Sequence, residues 1–316
     1  MKKTIPISLL IFFSCLSLFV GVQSIPFSHL FNFDDIEKLV FWNTRVPRTT
    51  SLIIAGATSS VCGLIMQHLT QNKFVSPTTA GTMDSARLGM LVAMLFFPTS
   101  SILTRSFVAF IFAFLGTYLF LQIIKRIPAK NQIMIPLVGV MFGNIIGSVV
   151  TFFAYQFQLI QNMTSWLQGS FSTVTKGDYE LIYLSVPVLI VCYLFAYRFT
   201  IVGMGEDMAT NIGLNYEKTQ LIGLLLIAVA SSVTLVTIGG LPFIGVIIPN
   251  IVSQFYGDQL KGTLWITAVS GSLFLVMCDI LSRVINAPYE VPVSLIVGVI
   301  GSIIFIFLLL KGGKKA

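Results

Sequence analysis

The sequence GMGEDMATNIGLNYE, residues 203–217, is a short polar segment that separates two long apolar runs. Within it Met204, Met208 and Ile212 recur every four residues, a spacing that predicts a short amphipathic helix. Ala209 is expected on the same apolar face as these three residues. The segment therefore predicts a short surface helix that joins two membrane-spanning runs.

The ends of this predicted helix carry residues that suit helix termini. Glu206 and Asp207 fall in the first turn, where carboxylates interact favourably with the positive end of the helix dipole. Gly213 stands where a left-handed C-cap would end the helix. Two interpretations remain open from the pattern alone: a helix that exposes a partly apolar surface to a partner, and an ordinary interhelical loop.

The composition of the chain indicates a membrane protein. Of its 316 residues 55% are hydrophobic and only 10% are charged, and the mean hydropathy is +0.91. A soluble domain usually carries about 25% charged residues, so this chain has too little charge to cover a soluble surface. The net charge is +7, but the basic residues are scattered in short connections, so nucleic acid is not an expected partner.

The residues that usually carry chemistry do not form a recognisable set. The four cysteines lie inside apolar runs without CxxC or Cys/His spacing, and we expect them to be small buried hydrophobes. The two histidines, His29 and His68, are too far apart in the chain to predict a metal site. The sequence has neither a GxxxxGK[ST] loop nor a Ser/His/Asp or paired-carboxylate set. We therefore expect a non-catalytic chain without a cofactor of its own.

Apolar runs predict an all-α integral membrane protein with about ten transmembrane helices. A span needs about 20 apolar residues. The predicted spans are residues 5–24, 50–69, 80–97, 102–124, 133–155, 180–197, 219–238, 241–256, 263–286 and 289–310. The first run follows Lys2 and Lys3 like a signal peptide, but it exceeds the usual signal core of about 7–15 residues, so we interpret it as a retained span.

The distribution of Lys and Arg predicts the orientation of these spans. With the N-terminus in the cytoplasm, the inner connections hold about twice as many basic residues as the outer ones, as the positive-inside rule requires. Both termini and residues 203–217 are then cytoplasmic. The connections are short, so the chain is expected to be a single transmembrane domain over residues 1–316.

Two polar or glycine-rich segments predict interrupted helices. Residues 72–77, NKFVSP, follow the second span, and residues 239–242, GGLP, separate the seventh from the eighth. Irregular backbone at membrane depth occurs only where protein or a water-lined cavity satisfies its polar groups. Both segments are candidates for broken or re-entrant elements; the alternative, a simple loop at the membrane surface, suits the first segment better than the second.

Three blocks, in order, carry a resemblance to a known family. Residues 45–89 begin with RVPR, continue through small residues to Gln67 and end in GTMDSARLG. The second block is residues 203–217, and the third is residues 239–311, with GGLPFIGVIIPN and DILSRVINAPYEVPVSL. Together they resemble the permease subunits of bacterial ABC importers for iron–siderophores, haem and cobalamin, over nearly the whole chain. The sequence departs from the family pattern at Lys73, Asn250 and Ser253.

The resemblance implies partners and a location in the bacterial cell membrane. It implies a second permease subunit, identical or different, and an extracytoplasmic substrate-binding protein on the outer face. It also implies cytoplasmic ATPase subunits that bind ATP and Mg and contact a coupling helix at about residues 203–216. The ATPase-coupling residues would be Gly205, Glu206, Asp207, Met208, Ala209, Gly213 and Leu214. The docking residues would be Arg45, Arg48 and Arg283.

Other roles remain open for the charged residues near the membrane. Arg45 and Arg48 could equally anchor the chain to lipid headgroups, and Arg283 could pair with Asp279 one turn earlier. Asp84 and Arg87, three residues apart, are interpreted as a self-compensating pair inside the bundle.

We therefore expect ATP-driven import of a ferric-siderophore-type ligand by alternating access at a dimer interface. Haem or cobalamin is the alternative cargo within the same family. A secondary transporter driven by an ion gradient would be expected to show ionisable groups at mid-membrane in corresponding halves. The few intramembrane charges of this chain are close enough to pair locally, which argues against that class.

Overall fold

The computed structural model describes residues 4–21, 34–126, 134–172, 174–177 and 179–312. Their backbone is almost entirely helical, so the predicted all-α class is confirmed. The α-helices are α1 Thr4–Phe19, α2 Asp35–Val40, α3 Val46–Leu69, α4 Thr82–Phe96, α5 Ile102–Arg126, α6 Met134–Gln156, α7 Ile160–Leu167, α8 Ser185–Val202, α9 Glu206–Asn211, α10 Tyr216–Ile238, α11 Ile244–Tyr256, α12 Leu260–Val284 and α13 Val293–Gly312. A π-helical turn, Phe41–Arg45, joins α2 to α3, and a 3-10 turn, Glu180–Leu184, precedes α8.

Each predicted span corresponds to a helix. In the described residues, six helices are long and apolar enough to cross a membrane, namely those that include α3, α5, α6, α8, α10 and α12. Three shorter apolar helices, α1, α11 and α13, account for three more spans. The remaining span is α4, a helix of 15 residues that carries Asp84 and Arg87. The expectation of about ten spans is consistent with this arrangement.

Two helical segments lie outside the predicted spans. The helix that contains α3 already begins at Asp35, 11 residues before α3 itself, because α2 and the π-helical turn continue into it. A capping box at its start joins Asp34 and Glu37, and this short-range signal is present in the sequence. The second segment is α7. Neither is apolar along a full span, so a search for apolar runs does not detect them.

The centre of the bundle is α3. In the most apolar window of the helix that contains it 78% of residues are buried, against 22% in α6, which lies at the periphery. Small residues permit this central position: Gly56 lies against the backbone of Gly271 in α12, and Gly63 lies against the backbone of Gly245 in α11. A Cβ at either glycine of α3 would overlap the facing backbone. The interpretation of these small residues as tight helix packing is confirmed.

The first interruption enters the bundle instead of remaining at its surface. Ser76 is fully buried and lies against Gly245 of α11. The helix that follows, α4, begins at Thr82, whose hydroxyl is 2.7 Å from that of Thr117 in the middle of α5. Residues 75–77 are buried in the bundle, which supports the broken-element interpretation over a simple surface loop. The polar groups are satisfied internally, for example by the bond from Asn250 Nδ2 to the Lys73 carbonyl (2.7 Å).

The second interruption separates α10 from α11 as predicted. Gly239 ends α10 with φ +83°, and Phe243 begins α11 from a left-handed conformation with φ +62°. Between them Gly240 forms a parallel β-bridge with Gln168 from the segment after α7. The adjacent Gly169 accepts a hydrogen bond from the Ser294 amide at the start of α13 (3.1 Å). Three chain segments therefore meet around this break.

Candidate functional sites

The polar segment at residues 203–217 folds as a short helix with the expected caps. The helix α9 begins after Gly205, whose φ is +110°, and is followed by Gly213 with φ +85°. Gly213 donates to the Thr210 carbonyl (2.9 Å) and Leu214 to the Ala209 carbonyl (2.9 Å). These two bonds form a Schellman motif, which requires a residue with positive φ at Gly213. The helix prediction and its glycine cap are confirmed.

One face of this segment is exposed and apolar. Met204 is 60%, Met208 47% and Ile212 56% exposed. Glu206 and Asp207 are exposed beside them. Three large apolar side chains at helical spacing, flanked by carboxylates, form a surface that another protein can cover. We call these five residues the α9 surface.

Ala209 does not belong to the α9 surface, contrary to the sequence-based expectation. Its side chain is fully buried within the chain. Because α9 packs against α8 and α10, the position after Met208 faces the bundle instead of a partner. Leu214 is half-buried and packs against the main core. These two predicted contact residues therefore position α9 instead of extending its exposed face.

The end of α3 contacts both sides of α9, which the sequence did not predict. His68 packs so closely against Gly203 that a Cβ there would overlap its ring. Gln71 lies beside Gly205 and forms a side-chain hydrogen bond with Tyr216, the first residue of α10. These contacts connect both ends of α9 to the end of the central helix. No local sequence pattern identifies His68 or Gln71, because the residues that they contact are more than a hundred residues away in the chain.

The three arginines predicted for docking form an internal cluster. Arg45, Arg48 and Arg283 are only 7%, 6% and 4% exposed. Arg48 donates to Asp279 Oδ1 from Nη2 (2.8 Å) and to Glu290 Oε2 from Nη1 (2.6 Å). Arg283 forms a buried ion pair with the other carboxylate oxygen of Asp279. The prediction that Asp279 pairs with Arg283 is confirmed, and Arg48 shares the same carboxylate.

The cluster also fixes the end of α1. Arg283 donates to the carbonyl oxygens of Ser17 and Val20 (2.8 Å each), and Arg45 donates to that of Val20. Guanidinium groups at the C-terminal end of a helix satisfy its last carbonyls and its dipole. The arginines therefore do not present free guanidinium groups to a docking protein in this conformation. The prediction that all three arginines dock directly is therefore corrected to an internal role. Their guanidinium groups bind other groups of the same chain.

Glu290 is the member of the cluster nearest to solvent. Its side chain is 18% exposed, whereas that of Asp279 is fully buried. It lies in the connection between α12 and α13, and its partner Arg48 is 242 residues earlier in the chain. No spacing rule identifies such a pair, so the sequence analysis missed it.

Near the first interruption, two of the positions that depart from the family pattern meet. Asn250 binds the carbonyl of Lys73, and the Lys73 ammonium forms an exposed ion pair with Asp258 (2.8 Å). These contacts tie the first interruption to the turn after α11. Exposed pairs contribute only about 0–1 kcal/mol, so the hydrogen bond of the buried amide is the firmer of the two connections.

A cavity of about 380 Å³ lies where the two interruptions approach each other. It is lined by Thr78 from the first interruption, by residues 240–242 from the second, and by Gln168, Pro292, Ser294 and Leu295. From α4 it receives Met83, Asp84 and Arg87. Asp84 and Arg87 form an ion pair of 3.0 Å, so the predicted self-compensating pair is confirmed.

The fold and these surfaces define a class of protein. An all-helical bundle with irregular backbone enclosed between its helices, and a capped surface helix between α8 and α10, is the architecture of a transporter's membrane subunit. The chain belongs to the FecCD transport family, which matches residues 9–311. It is a multi-pass membrane protein.

Relatives match nearly the whole chain. The chain is 50% identical over 303 residues to the petrobactin import system permease protein YclN of Bacillus subtilis (strain 168), covering 96% of each chain. It is 42% identical over 298 residues to the ferric-anguibactin transport system permease protein FatD of Vibrio anguillarum, covering 94% of this chain and 95% of that one.

Among solved structures, one described as an inward-facing conformation of a metal-chelate type ABC transporter has the same fold. Its TM-score is 0.84 at 20% sequence identity, and the match covers 98% of this chain and 99% of that chain.

Proposed function

We propose that the chain is the permease subunit of an ATP-driven ABC importer that moves a ferric siderophore into the cytoplasm. The observation that carries this proposal is the end-to-end similarity to permeases named for petrobactin and ferric anguibactin. The sequence has no phosphate-binding loop, so ATP, with its Mg, is bound and hydrolysed by partner subunits. The permease contributes a path that alternates between outward and inward access.

Cytoplasmic ATPase subunits would bind the α9 surface. Methionine side chains are flexible and polarisable, which suits a contact that must persist through two conformations of a partner. The buried Ala209 and the contacts of His68 and Gln71 hold α9 rigidly against the bundle. A push on α9 would therefore reach α3, α8 and α10 together, as coupling to a two-state element requires.

An extracytoplasmic binding protein would dock on the outer face near the arginine cluster. Three guanidinium groups face two carboxylates there, so the cluster retains a net positive charge. Arg45, Arg48 and Arg283 would act from within the cluster, by holding the ends of α1, α3 and α12 together beneath the docking protein. A second permease subunit would complete the path by covering the peripheral helices, of which α6 is the least buried.

The test is uptake by a reconstituted system. The chain, its ATPase and its binding protein are expressed in an iron-limited strain that lacks siderophore permeases, and labelled ferric petrobactin, ferric dicitrate, haem and cobalamin are supplied in turn. We expect uptake of a ferric chelate that stops when the ATPase carries an inactivating substitution. Uptake of haem or cobalamin alone would establish the alternative cargo. Uptake that continues with the inactive ATPase would identify an ion-gradient-driven transporter.

A further inference from the structure

The cavity between the two interruptions is lined in part by polar and charged residues, to which the proposed function assigns no role. Its volume of about 380 Å³ is at the lower end of the range for small-molecule sites, about 300–1,000 Å³. That is enough for one arm of a bulky chelate. Asp84 and Arg87 are the charged residues among those that line it.

The two charges are not equally available to a ligand. Asp84 lies in the first turn of α4, where the helix dipole favours a carboxylate. It accepts from Arg87, and its other oxygen lies against Gly143 of α6, where a Cβ would come within 2.5 Å of it. The carboxylate is thus enclosed by protein on two sides, and its side chain is 19% exposed.

Arg87 keeps most of its donors. Its side chain is 30% exposed, and within the described residues its one hydrogen bond runs from Nη1 to Asp84. The Nε is buried, so the donors that can reach a ligand are those of the two Nη atoms. A guanidinium carries five N–H donors in a planar fork that matches a carboxylate or similar pair of oxygens. The hydroxyl of Ser294 and the amide of Gln168 add further polar groups to the same cavity.

We propose that Arg87, positioned by Asp84, binds an anionic oxygen group of the iron chelate, such as a carboxylate, as the chelate passes this cavity. Asp84 is a positioning residue, because it holds the guanidinium and is the more enclosed of the two side chains. This inference rests on the proposed function for the nature of the cargo. The site itself rests on the cavity, the enclosed carboxylate and the unused donors of Arg87.

The first test does not need a cargo. Ser294→Cys is introduced into a Cys15→Ser background, and intact cells are treated with anionic or cationic membrane-impermeant thiosulfonates. We expect labelling from outside, and we expect Arg87→Gln to lower the anionic-to-cationic rate ratio by about tenfold, since it removes a unit charge from the cavity that Ser294 also lines. Arg105→Gln, an arginine on α5 that does not line the cavity, is the matched control and should leave the ratio unchanged. An unchanged ratio in Arg87→Gln overturns the anion site.

The second test uses ferric petrobactin as the probe. We expect Arg87→Gln to lower uptake at subsaturating probe by at least about tenfold, while Arg87→Lys retains most of it. Unchanged uptake in Arg87→Gln overturns the subsite whatever the labelling shows. If the wild-type complex takes up no ferric chelate, the proposed function and the ligand class fail together. The labelling ratio then still decides whether Arg87 governs an anion site.

Discussion

At the scale of single residues, the most consequential side chain is that of Asp279. It is fully buried and pairs with both Arg48 and Arg283. Taking charges out of water is costly, so a buried pair is weak support for stability as a whole, but removing one partner leaves the others uncompensated. Removing one member of the cluster is therefore expected to cost more free energy of unfolding than any single ion pair contributes.

We predict that Asp279→Asn lowers the stability of the purified chain markedly. Two buried guanidinium groups would lose their shared carboxylate, and breaking a buried pair typically costs about 3–5 kcal/mol. The measurement is the thermal unfolding midpoint in detergent. Asp258→Asn is the control, because it makes the same chemical change in a pair whose side chains are 56% and 59% exposed and should cost about 0–1 kcal/mol. Equal midpoints for the two variants would contradict a structural role for the cluster.

At the scale of elements, the short helix α9 has one side that is buried against the bundle and one side that is exposed. Ala209 is buried against the bundle, while Met204 and Met208 are exposed. A substitution on the buried side tests packing within the chain, and one on the exposed side tests a partner. Ala209→Glu, which would seem from sequence to probe the partner, would instead place a charge inside the permease.

We predict that Met208→Glu prevents co-purification of the ATPase while the permease remains folded. An unpaired charge buried in the interface costs at least about 3 kcal/mol, which corresponds to a loss of roughly a hundredfold in affinity. The matched control is Ile36→Glu in α2, since Ile36 is a 69% exposed apolar residue at the opposite face in the predicted topology. Undiminished co-purification of Met208→Glu would show that the ATPase binds elsewhere.

At the scale of the whole molecule, the helices form one bundle around α3 with α9 at one face and the arginine cluster at the other end of the same central helix. The arrangement assigns opposite faces to the two proposed partners. The positive-inside distribution of Lys and Arg predicts that α9 is on the cytoplasmic side.

We predict that Thr210→Cys and Asp35→Cys, both at exposed positions, are labelled from opposite sides of the membrane. In intact cells carrying Cys15→Ser, a membrane-impermeant maleimide should react with Asp35→Cys only, and Thr210→Cys should react after the cells are opened. Reaction of Thr210→Cys in intact cells would reverse the topology and remove the basis for the ATPase contact.

The spans and α9 were predictable because their signals are local. Hydropathy over about 20 residues identifies a span, and Gly213 follows the periodic residues of α9 directly. The depth of residues 72–77 and the inward direction of Ala209 depend on which helices pack around them, so they were not predictable. Three of the four cysteines are buried as expected, whereas Cys15 is exposed on α1. The partners of Arg48 are 231 and 242 residues away, beyond any pattern of spacing.

The arginine cluster has a consequence for how the chain is made. Arg48 is synthesised 231 residues before its partner Asp279, and Ser17 is synthesised 266 residues before its partner Arg283. During synthesis the arginines of the first half must stay at the aqueous interface, since a buried guanidinium without a counter-ion is too costly. In chains that stop before α12, these arginines never acquire their counter-ion. The late-synthesised helix α12 thus completes the cluster that α1 and α3 begin, and incomplete copies remain open to the proteases that remove unstable proteins.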